Sequence, residues 1–434
     1  MRRLNISKLA NFFIWFQVYF NIFCKFLIFD LGFPNFINYI SDLLTLCLIV
    51  LLFKKYYPKI KISKKAKSLL ICVFSFFIIC TFSTLINKGN FLLFLWGFRN
   101  TFRFLIWLIC CIAFLDTRYL KINFNIFKFI TYVNIFFMLY QFIVLGIRND
   151  YLNGVFGTYV GGNAAINIFL IAMTVFSIYM YRIKEIKKSK FIFLLIILLL
   201  SSSLNELKIF FLEFFIIIFI SQFYFSEKKV NPLILFRNLL VLFISIYIAL
   251  QVFFIFYPDF ANFFTIESIL DYTTRSYNSN ELLYSNGVPI MNRFSVFEVI
   301  PKYFLTSFDQ ILFGKGFGSS EFSQIAIFNS AFYQQYGAIN YLGYFSSYLL
   351  LEVGILGVGT YLLIFILSFF YCFRRKNQLN LFALTLSLMG IILFFYNSSF
   401  RLESCGYMFY TFLAISFTLN KNVDENMKRR RKNV

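Results

Sequence analysis

Histidine is absent from all 434 residues, and acids number only 19 against 41 Lys plus Arg. Each shortage excludes something. Without imidazole there is no histidine acid–base chemistry and no histidine-ligated metal. A zinc site would then need clustered cysteines or carboxylates. The eight cysteines (24, 47, 72, 80, 110, 111, 372 and 405) contain no Cys-x-x-Cys pair, and seven of them lie in apolar segments. Such cysteines behave as small buried hydrophobes, so the sequence implies no metal and no cofactor. The first apolar stretch lacks a small-residue cleavage site after it. It therefore reads as a retained first helix and not as a signal peptide.

What the chain does have is apolar bulk: 60% of it is hydrophobic, with 67 Phe. A membrane span needs about 20 mostly apolar residues. That measure gives twelve candidates, at 9–29, 36–53, 68–87, 101–116, 126–147, 164–182, 191–204, 208–225, 238–257, 343–372, 379–396 and 406–420. With the N-terminus placed in the cytoplasm, 30 of the 41 basic residues fall near the start, in every second loop, and in the tail after 420. Basic residues favour the cytoplasmic side. The expectation is an all-α polytopic protein of the bacterial inner membrane with both termini cytoplasmic. The net charge of +22 does not suggest nucleic acid, because a nucleic-acid binder needs one contiguous basic face. Here the charges are scattered beside helix ends, where anionic headgroups of membrane lipids account for them.

The organisation is lopsided. Spans one to nine occupy 1–257, a long loop occupies 258–342, three more spans occupy 343–420, and a basic cytoplasmic tail covers 421–434. The long loop carries seven acids against four bases. It keeps many aromatics and aliphatics, which disfavours disorder, so it reads as a folded, mostly helical cap outside the cytoplasm. The stretch 343–372 is too long for one straight helix. Its glycines at 354, 357 and 359 suggest an interfacial helix, a break, and then a span.

Four features on the cap side could carry chemistry. Arg148-Asn149-Asp150 opens a glycine-rich loop. It is either a turn-rich connector with a snorkelling arginine or an anion clamp, since guanidinium offers phosphate two parallel donors. In the long loop, Arg293 heads a helical stretch on which Glu298 and Lys302 are spaced to pair. Arg275 is a second candidate phosphate ligand there. Glu206 and Lys208 lie in a hairpin between two closely spaced spans, either as an interface pair or as the floor of a polar pocket. Arg99 and Arg103, one turn apart, pose the same choice. Finally, Gly314-Lys315-Gly316-Phe317-Gly318 lacks the strand–helix context and spacing of a phosphate loop. Its glycines instead suit tight turns that seat the cap on the bundle.

Phe313-Gly314-Lys315-Gly316-Phe317-Gly318-Ser319, followed by Ser346-Ser347-Tyr348-Leu349-Leu350-Leu351-Glu352-Val353-Gly354-Ile355-Leu356-Gly357 at the membrane re-entry, resembles the bacterial O-antigen polymerase and ligase superfamily. The resemblance extends to about a dozen spans and one large late periplasmic loop. It implies a metal-independent membrane glycosyltransferase of the GT-C type, acting on undecaprenyl-diphosphate-linked oligosaccharides. A chain-length regulator and a flippase would be its partners. In the polymerase branch, arginines of the third and the large outward loops are functional. The matching positions are Arg148 and Arg293, with Arg275 the alternative in the large loop. The ligase branch carries a histidine just before the Ser-Tyr-Leu stretch, where this chain has Tyr344-Phe345. That departure favours polymerase. Asp150, Glu298 and Glu352 are candidate bases or substrate ligands beside Lys208, Arg99 and Arg103. Glu352 can equally be a structural residue at the broken helix.

The rival readings are a flippase or other transporter, which is usually built from two related halves, and a non-catalytic assembly component. No related halves are visible. The topology yields a direct expectation: a reporter fused at Asn280 signals from outside the cytoplasm, and one fused after Val434 signals from inside. A cytoplasmic signal at Asn280 removes the proposed site from the lipid-linked glycan.

Overall fold

In the computed structural model, residues 6–56, 64–159, 161–224, 250–258, 284–374 and 377–418 are described, with a few positions between 240 and 248. The chain is almost wholly helical. The first half comprises α1 (Ile6–Phe29), α2 (Ile40–Tyr56), α3 (Lys64–Ile86), α4 (Phe91–Phe114), α5 (Leu120–Ile143), α6 (Gly162–Arg182), α7 (Lys188–Leu204) and α8 (Lys208–Tyr224). A cap follows, made of a short hairpin (β1 Tyr284–Ser285, β2 Val288–Pro289) and the helices α9 (Val296–Tyr303), α10 (Phe308–Phe313) and α11 (Ala331–Tyr336). The chain returns through α12 (Phe345–Phe373), α13 (Asn380–Tyr396) and α14 (Glu403–Ala414).

Among the described residues, seven helices are long and apolar enough to cross a membrane: α1 to α6 and α12. The protein is therefore a membrane-embedded all-α protein. Helices α7, α8 and α13 have 17 residues each, and α14 has 12. The candidate span 238–257 and the tail lie largely outside the described residues. Helix α6 is buried on nearly all sides and forms the axis of the bundle, touching α7, α8, α13 and α14.

Helix α12 is broken where the sequence places a glycine. Gly354 has φ 63° and ψ −164° inside an otherwise continuous helix, a conformation essentially reserved for glycine. The half-helix before it, Phe345–Val353, is buried throughout among the other elements. A break leaves carbonyls without helical partners. The glycine loop supplies them: the Lys315 and Gly316 amides donate to the carbonyls of Leu351 and Glu352 at 2.8 and 3.1 Å. Ser83 Oγ on α3 adds a bond to the Glu352 carbonyl at 2.8 Å. Gly314, at φ 72°, backs so closely on this break that a Cβ would lie 2.4 Å from the Glu352 carbonyl carbon. These glycines seat the cap on the bundle, as the sequence suggested.

Gly354→Ala should therefore be severely destabilising. The backbone alone costs about 1–3 kcal/mol, and the new Cβ would also lie 2.5 Å from the Leu312 carbonyl oxygen. Gly359 lies one turn further along the same helix and meets nothing within 4 Å. Gly359→Ala should hold or raise the thermal midpoint in detergent. Equal midpoints for the two variants would show that the break is not needed.

Candidate functional site

The third loop on the cap face is a built structure. After α5 ends, Leu152–Gly157 dips back into the bundle and is buried. Irregular backbone is tolerated at such depth only when its polar groups find partners. Gln141 supplies two, accepting from the Gly154 amide at 2.7 Å and donating to its carbonyl at 3.2 Å. Asn134 accepts from the Val155 amide at 3.0 Å. Asn205, in the α7–α8 hairpin, donates to the Leu152 carbonyl and to Asn153 Oδ1. Tyr257 ties the same two segments together: its hydroxyl donates to the Leu204 carbonyl at 2.8 Å and receives the Asn149 amide at 3.4 Å.

This scaffold brings four of the expected residues into one cluster. Arg148 is exposed, with its guanidinium 3.5 Å over the Phe142 ring and Nη1 on the carbonyls of Phe142 and Ile147. Asp150 is exposed and accepts from Asn163 at 2.7 Å. Lys208 pairs with Glu206 at 3.1 Å, and the charges of Asp150 and Arg293 also act on it. The Tyr257 phenol feels Arg148, Asp150 and Glu206 together. Arg293 arrives from the cap. Its guanidinium lies 4.0 Å over the Tyr396 ring at the end of α13, and its Nε is buried without a hydrogen-bond partner. Thus the connector, the hairpin and the cap contribute three cations to one place, against two carboxylates.

Arg99, Arg103 and Glu352 belong to a second, buried network beside the first. Arg99 binds Asp42 through Nε and Nη2 at 2.9 and 2.5 Å, and its Nη1 donates to Asn100. Asn100 donates to Glu321 at 2.8 Å, and Arg401 meets the same carboxylate oxygen at 2.5 Å. Arg103 pairs with Glu403 at 2.9 Å and donates to the Arg401 carbonyl at 3.2 Å. The Arg401 guanidinium lies 3.9 Å over the Tyr348 ring. One oxygen of Glu352 accepts from both the amide and the hydroxyl of Ser320. The contacts of Glu352 thus brace the cap against the broken helix. In the glycine loop, burial pushes the Lys315 ammonium below its ordinary value.

Glu298 sits exposed in the first turn of α9, and Arg275 lies outside the described residues. Sequence reading missed Asp42, Asn100, Glu321, Arg401 and Glu403. Their one signal is cost: acids and arginines bordering apolar runs are expensive unless paired. It also missed Glu213, buried midway along α8.

The first cluster can bind an anion. Three cations with one unsatisfied guanidinium nitrogen suit a diphosphate, and Asp150 adds an exposed carboxylate beside them. The second network matches its arginines with acids, although Arg103 Nε and Arg401 Nη1 are also buried without hydrogen-bond partners, and it is suited to fixing helices in place. Searches against family models and against curated proteins return no match for this chain.

Proposed function

We propose that the protein is a polymerase of undecaprenyl-diphosphate-linked oligosaccharide repeat units, working at the cap face of the membrane. The observation that carries this reading is the convergence of Arg148, Lys208 and Arg293 from three separate segments around Asp150 and Glu206. The topology proposed with it has twelve spans and cytoplasmic termini, in the manner of the GT-C glycosyltransferases. A flippase would deliver the units and a chain-length regulator would act on the product.

The reaction needs no metal to balance. A hydroxyl of the acceptor unit attacks the anomeric carbon of the donor glycan, and the bond from that carbon to the diphosphate oxygen breaks. The lipid diphosphate leaves with the electron pair, and the hydroxyl proton passes to a carboxylate, for which Asp150 is the best-placed group. Guanidinium groups fixed where leaving-group charge develops lower the barrier most. Arg293 is held for this by the Tyr396 ring, while the contact of Arg148 with Phe142 leaves the rest of its fork toward solvent. Positioning of the acceptor supplies the remainder. The buried Arg103 and Arg401 are paired with Glu403 and Glu321 and serve the frame, not the diphosphate.

Deletion should leave cells with single repeat units on the carrier in place of long chains; units confined to the cytoplasmic leaflet would indicate a flippase instead. Arg293→Lys keeps the charge but loses the planar fork. It should impair polymerisation nearly as much as Arg293→Ala, by about 2–4 kcal/mol, or tens- to several-hundred-fold in rate. Arg148→Lys should follow it. Polymer length on a gel, normalised to membrane protein by blot, reads the outcome. Wild-type chain length in both Lys variants would reduce these arginines to headgroup anchors.

A further inference from the structure

Below the cap-face cluster lies a carboxyl that the polymerase reading does not use. Glu213 sits on α8 with no exposed surface. The Asn167 carboxamide on α6 faces it closely enough to favour its charged form weakly, yet neither the Glu213 oxygens nor the Asn167 amide atoms, all buried, make a hydrogen bond of good geometry. A buried carboxylate needs a counter-charge or several donors, and an intramembrane acid left without either is expected to have a function.

No counter-charge is at hand among the described residues. Helices α6, α7 and α13 pack against α8, and the 250–258 segment and α12 touch it through Phe253 and Cys372. Their titratable groups are Tyr179, Tyr181 and Arg182 on α6, Lys188 and Lys190 on α7, Tyr396 on α13, Tyr257 in the 250–258 segment, and Tyr371 and Cys372 at the end of α12 that meets α8; α8 itself adds Lys208 and Tyr224. All of these lie toward the helix ends, and none of them acts on Glu213. A metal cation would find at most about three oxygens on the two side chains, too few to replace a hydration shell. A single proton neutralises the carboxyl completely.

The route to this group is short on one side. Glu213 is five residues into α8, about 7.5 Å below its start at 1.5 Å per residue. Asn167 lies equally far below the start of α6. One turn above it on the same face, Asn163 donates to the exposed Asp150 at 2.7 Å. From Asn167 to the other end of α6 is about 22 Å by the same rise.

We infer that Glu213 and Asn167 form a proton-binding site inside the bundle, whose carboxyl carries a proton at neutral pH and exchanges it with the cap face past Asn163 and Asp150. The site is distinct from the glycan cluster, and its test needs no glycan. Infrared difference spectra of the full-length protein in lipid nanodiscs at pH 7 should show the carbonyl stretch of a protonated carboxylic acid. That band should be lost in Glu213→Gln, shift on transfer to D2O, and shift more slowly in Asn163→Leu. Because Gln replaces one neutral group with another, Glu213→Gln should keep the wild-type thermal midpoint. An ionised carboxylate at pH 7, an acid band that never exchanges, or a large fall in the Glu213→Gln midpoint would each overturn the inference. So would an acid band that forms only when sodium is replaced by choline, which would identify a sodium site. Exchange at the wild-type rate in Asn163→Leu would overturn the cap-face route.

Discussion

Everything on the cap face depends on how the broken end of one helix satisfies its backbone. Inside a membrane protein an unpaired carbonyl costs several kcal/mol, and the break at Gly354 frees two of them. The glycine loop answers with the Lys315 and Gly316 amides, which fixes the cap directly on the end of the half-helix. Ser83 then joins α3 to the same carbonyl. A cap held by main-chain hydrogen bonds in a low-dielectric setting is positioned more tightly than one resting on side-chain contacts alone. That is how Arg293 can be aimed at a cluster whose other members come from α5 and the α7–α8 hairpin.

The paired charges beside this junction act as a second set of fasteners. Asp42 near the start of α2 and Glu403 at the start of α14 are locked to Arg99 and Arg103 in the middle of α4. Glu321 and Arg401 join the cap to the α13–α14 turn. Buried pairs of this kind add little net stability over an apolar core, but losing one partner strands the other. Their contribution here is geometric: they give the helices one register, not a choice of several.

Much of this was legible in the sequence, for physical reasons that differ from place to place. Span length and loop charge obey the membrane directly, so the helices were readable. The glycines at 314, 316, 318 and 354 announced tight turns and a break because other residues cannot adopt those angles. Arg148, Asp150, Lys208 and Arg293 stood out as polar groups at the ends of apolar runs. Their convergence was not legible, since it depends on how far α5, the hairpin and the cap stand from one another. The Arg103–Glu403 pair joins residues 300 positions apart, and no local pattern marks it. The Glu298–Lys302 spacing fitted a helix, and the helix is there, with Glu298 exposed in its first turn. Glu213 reads in sequence as one acid in an apolar run; only its burial opposite Asn167 sets it apart.

The turn between α13 and α14 has a mechanical consequence. Tyr396, the platform beneath Arg293, and Arg401, the partner of Glu321, are five residues apart. Between them, the Asn397 carbonyl receives the Phe345 amide at 3.1 Å, and its side chain receives the Ser399 amide and hydroxyl. The segment is pinned at both ends and in the middle, so it works as a short stiff lever, not a hinge. A displacement of Arg293 on the Tyr396 ring is passed to the Glu321 lock and, through Asn100, to α4. The outer cluster and the packing of the helices beneath it are thereby mechanically connected.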